Sequence, residues 1–113
     1  MDDKTLLERA ARAAGPLATV GNLALIEYAA WIGRNAARNS LRDFYKAYRE
    51  LTGEWFDRGD AVDGGDEDGD VPKFDRLKAD LKDAQRKLTS ARSATRRAIV
   101  RAAAAIWSAH EAQ

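Results

Sequence analysis

Two long stretches of this sequence repeat apolar residues at three- and four-residue steps, and between them lies a segment that a helix does not cross easily. It runs from Asp57 to Pro72 and holds Gly59, Gly64, Gly65 and Gly69 among seven acids and one basic residue. Each glycine costs a helix about 1 kcal/mol relative to alanine, and neighbouring like charges add repulsion. The segment therefore predicts a loop over 57–72. The flanking stretches are left to pack on each other as an antiparallel hairpin.

The stretch before the loop predicts a helix over about 18–56, beginning between Leu17 and Asn22. Its stripe is Ile26, Ala29/Ala30, Gly33, Ala37, Ser40, Phe44, Ala47/Tyr48, Leu51 and Trp55, the period of one helical face. Leu25, Tyr28, Trp31 and Ile32 lie off that stripe, so the first half is apolar nearly all round. A helix of that kind is buried on every side, by its own chain or by another.

The stretch after the loop predicts a helix over about 73–109. Its seam is Phe74, Leu77, Leu81, Ala84, Leu88, Ala91, Thr95, Ala98, Ala102, Ala105 or Ile106, and Ala109. The steps alternate three and four over five heptads, as in a coiled coil, with large residues first and alanine later.

A short helix over about 3–14 should precede both. Thr5-Leu6-Leu7-Glu8 fits a capping box, with Asp2 or Asp3 as alternative caps, and Gly15-Pro16 should end it. The predicted fold is all-α: one domain over 1–113, a long antiparallel hairpin with a short N-terminal helix. This makes a three-helix bundle, with dimerisation as a way to complete its burial. At 113 residues the core is modest, which favours added burial through a partner.

There is no cysteine, which excludes disulfides and thiolate chemistry. Met1-Asp2-Asp3-Lys4 lacks the layout of a signal peptide, and a cytoplasmic location is expected. The most apolar run, Leu17 to Gly33, carries Asn22 and Glu27 and no flanking positive cluster. It predicts a buried or interface helix in preference to a membrane span.

Charge is strongly segregated. Residues 57–72 have one basic and seven acidic groups, a net −6, whereas residues 73–113 have ten basic and four acidic, a net +6. Asp60, Asp63, Asp66, Glu67, Asp68 and Asp70 are hard oxygen ligands, but their spacing is not that of an EF-hand. The segment predicts a solvated connector, with contact to a basic partner or to the third helix as the alternative, and no metal site. Arg86, Lys87, Arg97 and Arg101 fall within an arc of about 100° opposite the seam, taking 3.6 residues per turn. Arg34, Arg38 and Arg42 line the outer side of the second helix. Such basic faces can follow a phosphate backbone, though no DNA- or RNA-binding motif frames them.

Phe44, Tyr48, Trp55 and Phe74 lie on the seams and predict core. Leu25, Tyr28, Trp31, Ile32 and Trp107 are the candidate partner-binding residues, since aromatics beside arginines are the usual anchors of protein interfaces. Catalytic chemistry is sparse. His110 is the only histidine, and Ser40, Ser90, Ser93 and Ser108 have no base nearby. Glu27 is the one carboxylate in an apolar setting. Neither enzymatic activity nor a cofactor is expected.

Trp31-Ile32-Gly33 and Trp107-Ser108-Ala109-His110-Glu111 resemble the Trp-x-Gly and C-terminal aromatic-x-x-x-acid signals of the WXG100 secreted helical hairpins. The resemblance implies a hairpin that turns at the Trp-x-Gly. Here Gly33 lies inside a continuous stripe, and the break in periodicity comes at the acidic segment.

The leading functional expectation is a non-enzymatic helical protein–protein interaction module. It would be a small inhibitor or adaptor of the kind found in phages and mobile elements, docking on a protein partner or on a second copy as a homodimer. The alternatives are nucleic-acid binding through the basic faces and a secreted WXG100-like hairpin. Membrane association is not expected.

Overall fold

The computed structural model describes residues 2–111. Three helices follow in order: α1 (Asp3–Thr52), α2 (Arg58–Asp63) and α3 (Asp70–Glu111). The described residues contain no strand, and α1 and α3 form the two arms of an antiparallel hairpin. The chain divides into two compact units, each built from a stretch of both helices. Unit 1 takes 1–30 and 88–113, and unit 2 takes 31–87.

Gly15-Pro16 does not separate two helices, because α1 runs through it with Pro16 inside. The separate helix over 3–14 is therefore roughly the first three turns of α1. Proline in a helix interior loses one hydrogen bond and costs about 3 kcal/mol. Alanine and leucine on both sides favour continuation, and the Thr19 hydroxyl adds a bond to the Gly15 carbonyl at 3.2 Å. The expected capping box is also displaced. Asp2 is the cap: its carboxylate accepts the Thr5 N–H at 2.8 Å, which holds that carboxyl below its ordinary value.

The α3 seam is placed as its spacing predicts. Every position from Phe74 to Ala109 on it is buried or half-buried, with Ala105 rather than Ile106 at the penultimate step. The α1 seam is not where its apolar stripe suggests. From Pro16 onward, the inward positions are Pro16, Val20, Leu23, Glu27 and Ala30 in unit 1, and Arg34, Ala37, Leu41, Phe44 and Tyr48 in unit 2. These steps also alternate four and three, the heptad period. Ile26, Gly33, Ser40 and Leu51, predicted inward, are exposed. Two charged residues, Glu27 and Arg34, thus occupy seam positions. Arg34 is accommodated by hydrogen bonds to Gln85 across the hairpin at 3.2 Å and to Asn35 at 3.0 Å.

Among the described residues of unit 1 the buried positions are small, apart from Leu88, which is 0% exposed. Thr95, Ala98 and Ala102 follow it, and the Thr95 hydroxyl is satisfied by the Ala91 carbonyl at 3.0 Å. In unit 2 the core is aromatic. Phe56 stands edge-on to Phe44 with centroids 5.0 Å apart and lies 4.9 Å from Phe74. Tyr48 and Tyr45 extend the cluster, at 5.1 Å from Phe56 and 5.8 Å from Phe74. Edge and tilted pairs of this kind set the electropositive ring edge against the electronegative face.

Phe56 reaches that core because α1 stops at Thr52, four residues short of the predicted end. Gly53 takes φ +77°, a left-handed cap that returns its N–H to the Arg49 carbonyl at 2.8 Å. The Thr52 hydroxyl donates to the Tyr48 carbonyl and accepts from the Glu54 N–H. The turn moves Trp55 off the helical face, so it lies outside, 63% exposed, rather than in the predicted core. Phe56 is the residue that enters the core in its place.

The predicted loop is itself ordered. Asp57 caps α2 by accepting the Asp60 N–H at 2.9 Å. Asp66, at φ +47°, accepts the N–H groups of Asp70 and Val71 at 2.9 and 3.1 Å and so caps α3. The third helix accordingly starts at Asp70, three residues earlier than its periodicity implies. Carboxylates at helix N-termini satisfy free donors and oppose the positive end of the helix dipole, which is why an acid-rich segment can start two helices.

Candidate functional site

Two kinds of surface stand out: apolar side chains directed away from the seams, and a basic groove in unit 2.

All five predicted partner-binding residues are exposed. Leu25, Tyr28 and Trp107 belong to unit 1, where Leu25 is 69% and Trp107 61% exposed. Trp31 and Ile32 belong to unit 2. The cause is geometric. A helix in a hairpin buries one stripe, and these α1 residues lie between the seam positions Leu23, Glu27, Ala30 and Arg34. Trp107 stacks obliquely on His110, with ring centroids 5.8 Å apart.

The basic groove has two adjoining parts. The first, about 1050 Å³, runs along α1. Its floor is Leu41, Tyr45 and Trp55, and Arg38, Arg42, Lys46 and Arg49 edge it together with Glu50. Spacings of four, four and three set these cations on one ridge of the helix. The Arg49 guanidinium lies 4.3 Å from the centre of the Trp55 ring and so packs on the indole that lines the groove. The second part, about 660 Å³, shares Arg38 and adds Lys78, Lys82 and Arg86 of α3, at successive four-residue steps. Seven cations and one acid therefore line the two parts.

Little inside the chain neutralises these cations. Arg42 has Asp43 at 3.6 Å, with both side chains about 70% exposed. Among the described residues Arg38, Lys46, Lys82 and Arg86 form no ion pair. The groove unites Arg38, Arg42 and Arg86 of the predicted basic face, and Arg34 reaches its edge through Gln85. Lys87 is exposed but does not line it. Arg97 and Arg101 belong to unit 1, where they flank a smaller hollow with Pro16, Thr19 and Leu23. Sequence reasoning missed Lys46, Lys78, Lys82, Tyr45 and Trp55 as groove residues. Lys78-x₃-Lys82-x₃-Arg86 was the available signal, since it is a one-face cationic ridge.

The acids of the 57–70 segment do not turn onto this groove. Its single cation, Arg58, binds Asp75 of α3 instead. Among the described residues Asp60, Asp63, Glu67, Asp68 and Asp70 form no ion pair, and no group of three or more acids or histidines is disposed to hold a metal ion. No described helix is long and apolar enough to cross a membrane.

No family model matches the sequence, and no curated protein or solved structure does. Trp31 and Gly33 lie within α1, and the chain turns between Thr52 and Asp70, so the WXG100 resemblance does not extend to the position of the turn.

Proposed function

We propose that this chain is a non-enzymatic helical interaction module that docks onto a protein partner, in the manner of a small inhibitor or adaptor. The observation that carries the reading is the exposure of Leu25 and Tyr28 on the outer side of α1. Apolar area of that kind is stabilised by removal from water, at roughly 25 cal/mol per Å². Scattered apolar residues are normal on any surface, but here they recur on one helix while the core beneath is largely alanine. The double substitution Leu25→Ser and Tyr28→Ser leaves the seam intact. It should keep helicity and abolish recovery of the native partner from the host. Unchanged partner recovery and unchanged solution mass would overturn the reading.

A second reading, nucleic-acid binding, is favoured by the seven cations and the Tyr45 and Trp55 rings of the groove. Against it stands the charge of unit 2, with twelve basic and thirteen acidic groups over 31–87. Titration with a single-stranded oligonucleotide at low salt decides between them, because phosphate contacts weaken steeply as salt rises.

A further inference from the structure

We propose that the basic groove of unit 2 receives the acidic segment Asp60–Asp70 of a second copy of this chain, so that the protein self-associates through charge.

Both halves of the contact are present in every molecule, and most of the charges in each lack an internal counterpart. The groove presents Arg38, Lys46, Lys82 and Arg86 without ion pairs, and the segment presents Asp60, Asp63, Glu67 and Asp68 in the same condition. The segment is also shaped to be presented. Asp57 and Asp66 spend their carboxylates on capping α2 and α3, and Arg58 ties the segment to Asp75. The remaining acids thus project from an ordered turn, which lowers the entropy lost on docking. Val62, exposed on α2, supplies an apolar group for the Tyr45 and Trp55 floor.

Symmetry makes a second copy a better match than a foreign acid. Groove and segment belong to the same unit, and Trp55, which lines the groove, precedes Asp57 by two residues. A two-fold arrangement therefore makes the contact twice, each copy giving and receiving. A polyanionic strand placed in the groove would instead leave the seven acids of the 57–72 segment uncancelled. The proposal goes beyond the apolar docking reading and uses none of Leu25, Tyr28 or Trp107. Rim charges contribute mainly to encounter rate, specificity and salt dependence, so the association should be salt-sensitive.

The test is the solution mass of the full chain by sedimentation equilibrium. A mass above the monomer is expected in about 0.1 M salt, reverting to the monomer near 1 M, where the Debye length falls to about 3 Å. Two double variants at exposed positions separate the halves: Arg42→Glu with Lys46→Glu, and Asp63→Lys with Glu67→Lys. Each alone should weaken self-association at least tenfold. Their equimolar mixture, and the chain carrying all four changes, should restore it. The proposal is overturned if the wild type stays monomeric in low salt, or if the charge variants associate as the wild type does. It is overturned equally if a thymidine oligonucleotide fills the groove of a monomeric protein and loses that binding with Arg42→Glu and Lys46→Glu. Association lost with Leu25→Ser and Tyr28→Ser but kept with both charge pairs would assign it to the apolar face instead.

Discussion

Arg58 grips Asp75 with two parallel bonds, Nε to Oδ1 at 2.8 Å and Nη2 to Oδ2 at 3.0 Å. The hydrogen bonds from Arg58 hold the Asp75 carboxyl below its ordinary value of 3.8, and Asp75 raises the guanidinium in turn. A folded-state carboxyl that is depressed adds stability above the unfolded value, and that stability is lost as pH falls through the lowered folded value. The pair is solvent-exposed, so its effect should be local. Protection from hydrogen exchange over 58–63, taken relative to the intrinsic rate at each pH, should fall in Arg58→Lys, which keeps the charge but not the fork, and in wild type below about pH 4. Equal protection in Arg58→Lys would show that the fork does not hold α2.

Phe56 and Trp55 are neighbours with opposite fates. Phe56→Ala should cost about 3–5 kcal/mol in urea unfolding, as expected for an aromatic lost from a packed core. Trp55→Ala should cost less than about 1 kcal/mol, because the indole is mostly exposed. Reversed magnitudes would place Trp55, not Phe56, in the core.

Asp66 serves α3 in two ways, through its carboxylate cap and through its left-handed backbone. Asp66→Ala should lose about 0.5–2 kcal/mol from the missing cap, with added strain at φ +47°. Asp66→Asn should stay close to wild type, since asparagine both caps and tolerates that conformation. Thermal midpoints in the order wild type, Asn, Ala test this, and an Ala variant as stable as wild type refutes the cap.

Pro16 is the one substitution that should stabilise. Alanine there restores an N–H donor and removes the ring clash inside α1, for a gain of up to about 3 kcal/mol. Circular dichroism should show unchanged or higher helicity with a raised melting midpoint. A lowered midpoint would mean that the ring itself packs in the hollow it shares with Leu23 and Ala98.

Among the described residues Leu88 is the largest fully buried side chain. Leu88→Ala should cost about 2–5 kcal/mol, the range for a large-to-small change that leaves a cavity. A smaller loss would mean that the alanine-rich seam of unit 1 collapses to fill the space.

The all-α hairpin and the α3 seam were legible in the sequence because α3 keeps its charged residues off the heptad positions. The α1 seam was not, since Glu27 and Arg34 occupy inward positions while Ile26 and Leu51 do not. Apolar periodicity then points a fraction of a turn away from the true face. Trp55 misled for a related reason: it continues the stripe by count, but the left-handed Gly53 ends the helix before it. The caps in the acidic segment were hidden by a rule that is sound for helix interiors and reversed at helix starts, where acids are favoured. The groove was half legible, because its α3 ridge is visible as spacing while its α1 floor depends on how the two helices face each other.

The aromatic cluster of unit 2 also sets an order in time. Phe44 and Phe56, and then Phe56 and Phe74, touch across short stretches of chain, so the loops they close are small. Leu23 and Ala94, which share a hollow in unit 1, are 71 residues apart. Closing the larger loop from an open chain carries the greater entropy loss, whereas a formed turn has already brought the two arms together. Folding should therefore begin at the tip and run toward the termini like a zip. Lesions at Phe56 would slow folding, and lesions at Leu88 would chiefly speed unfolding.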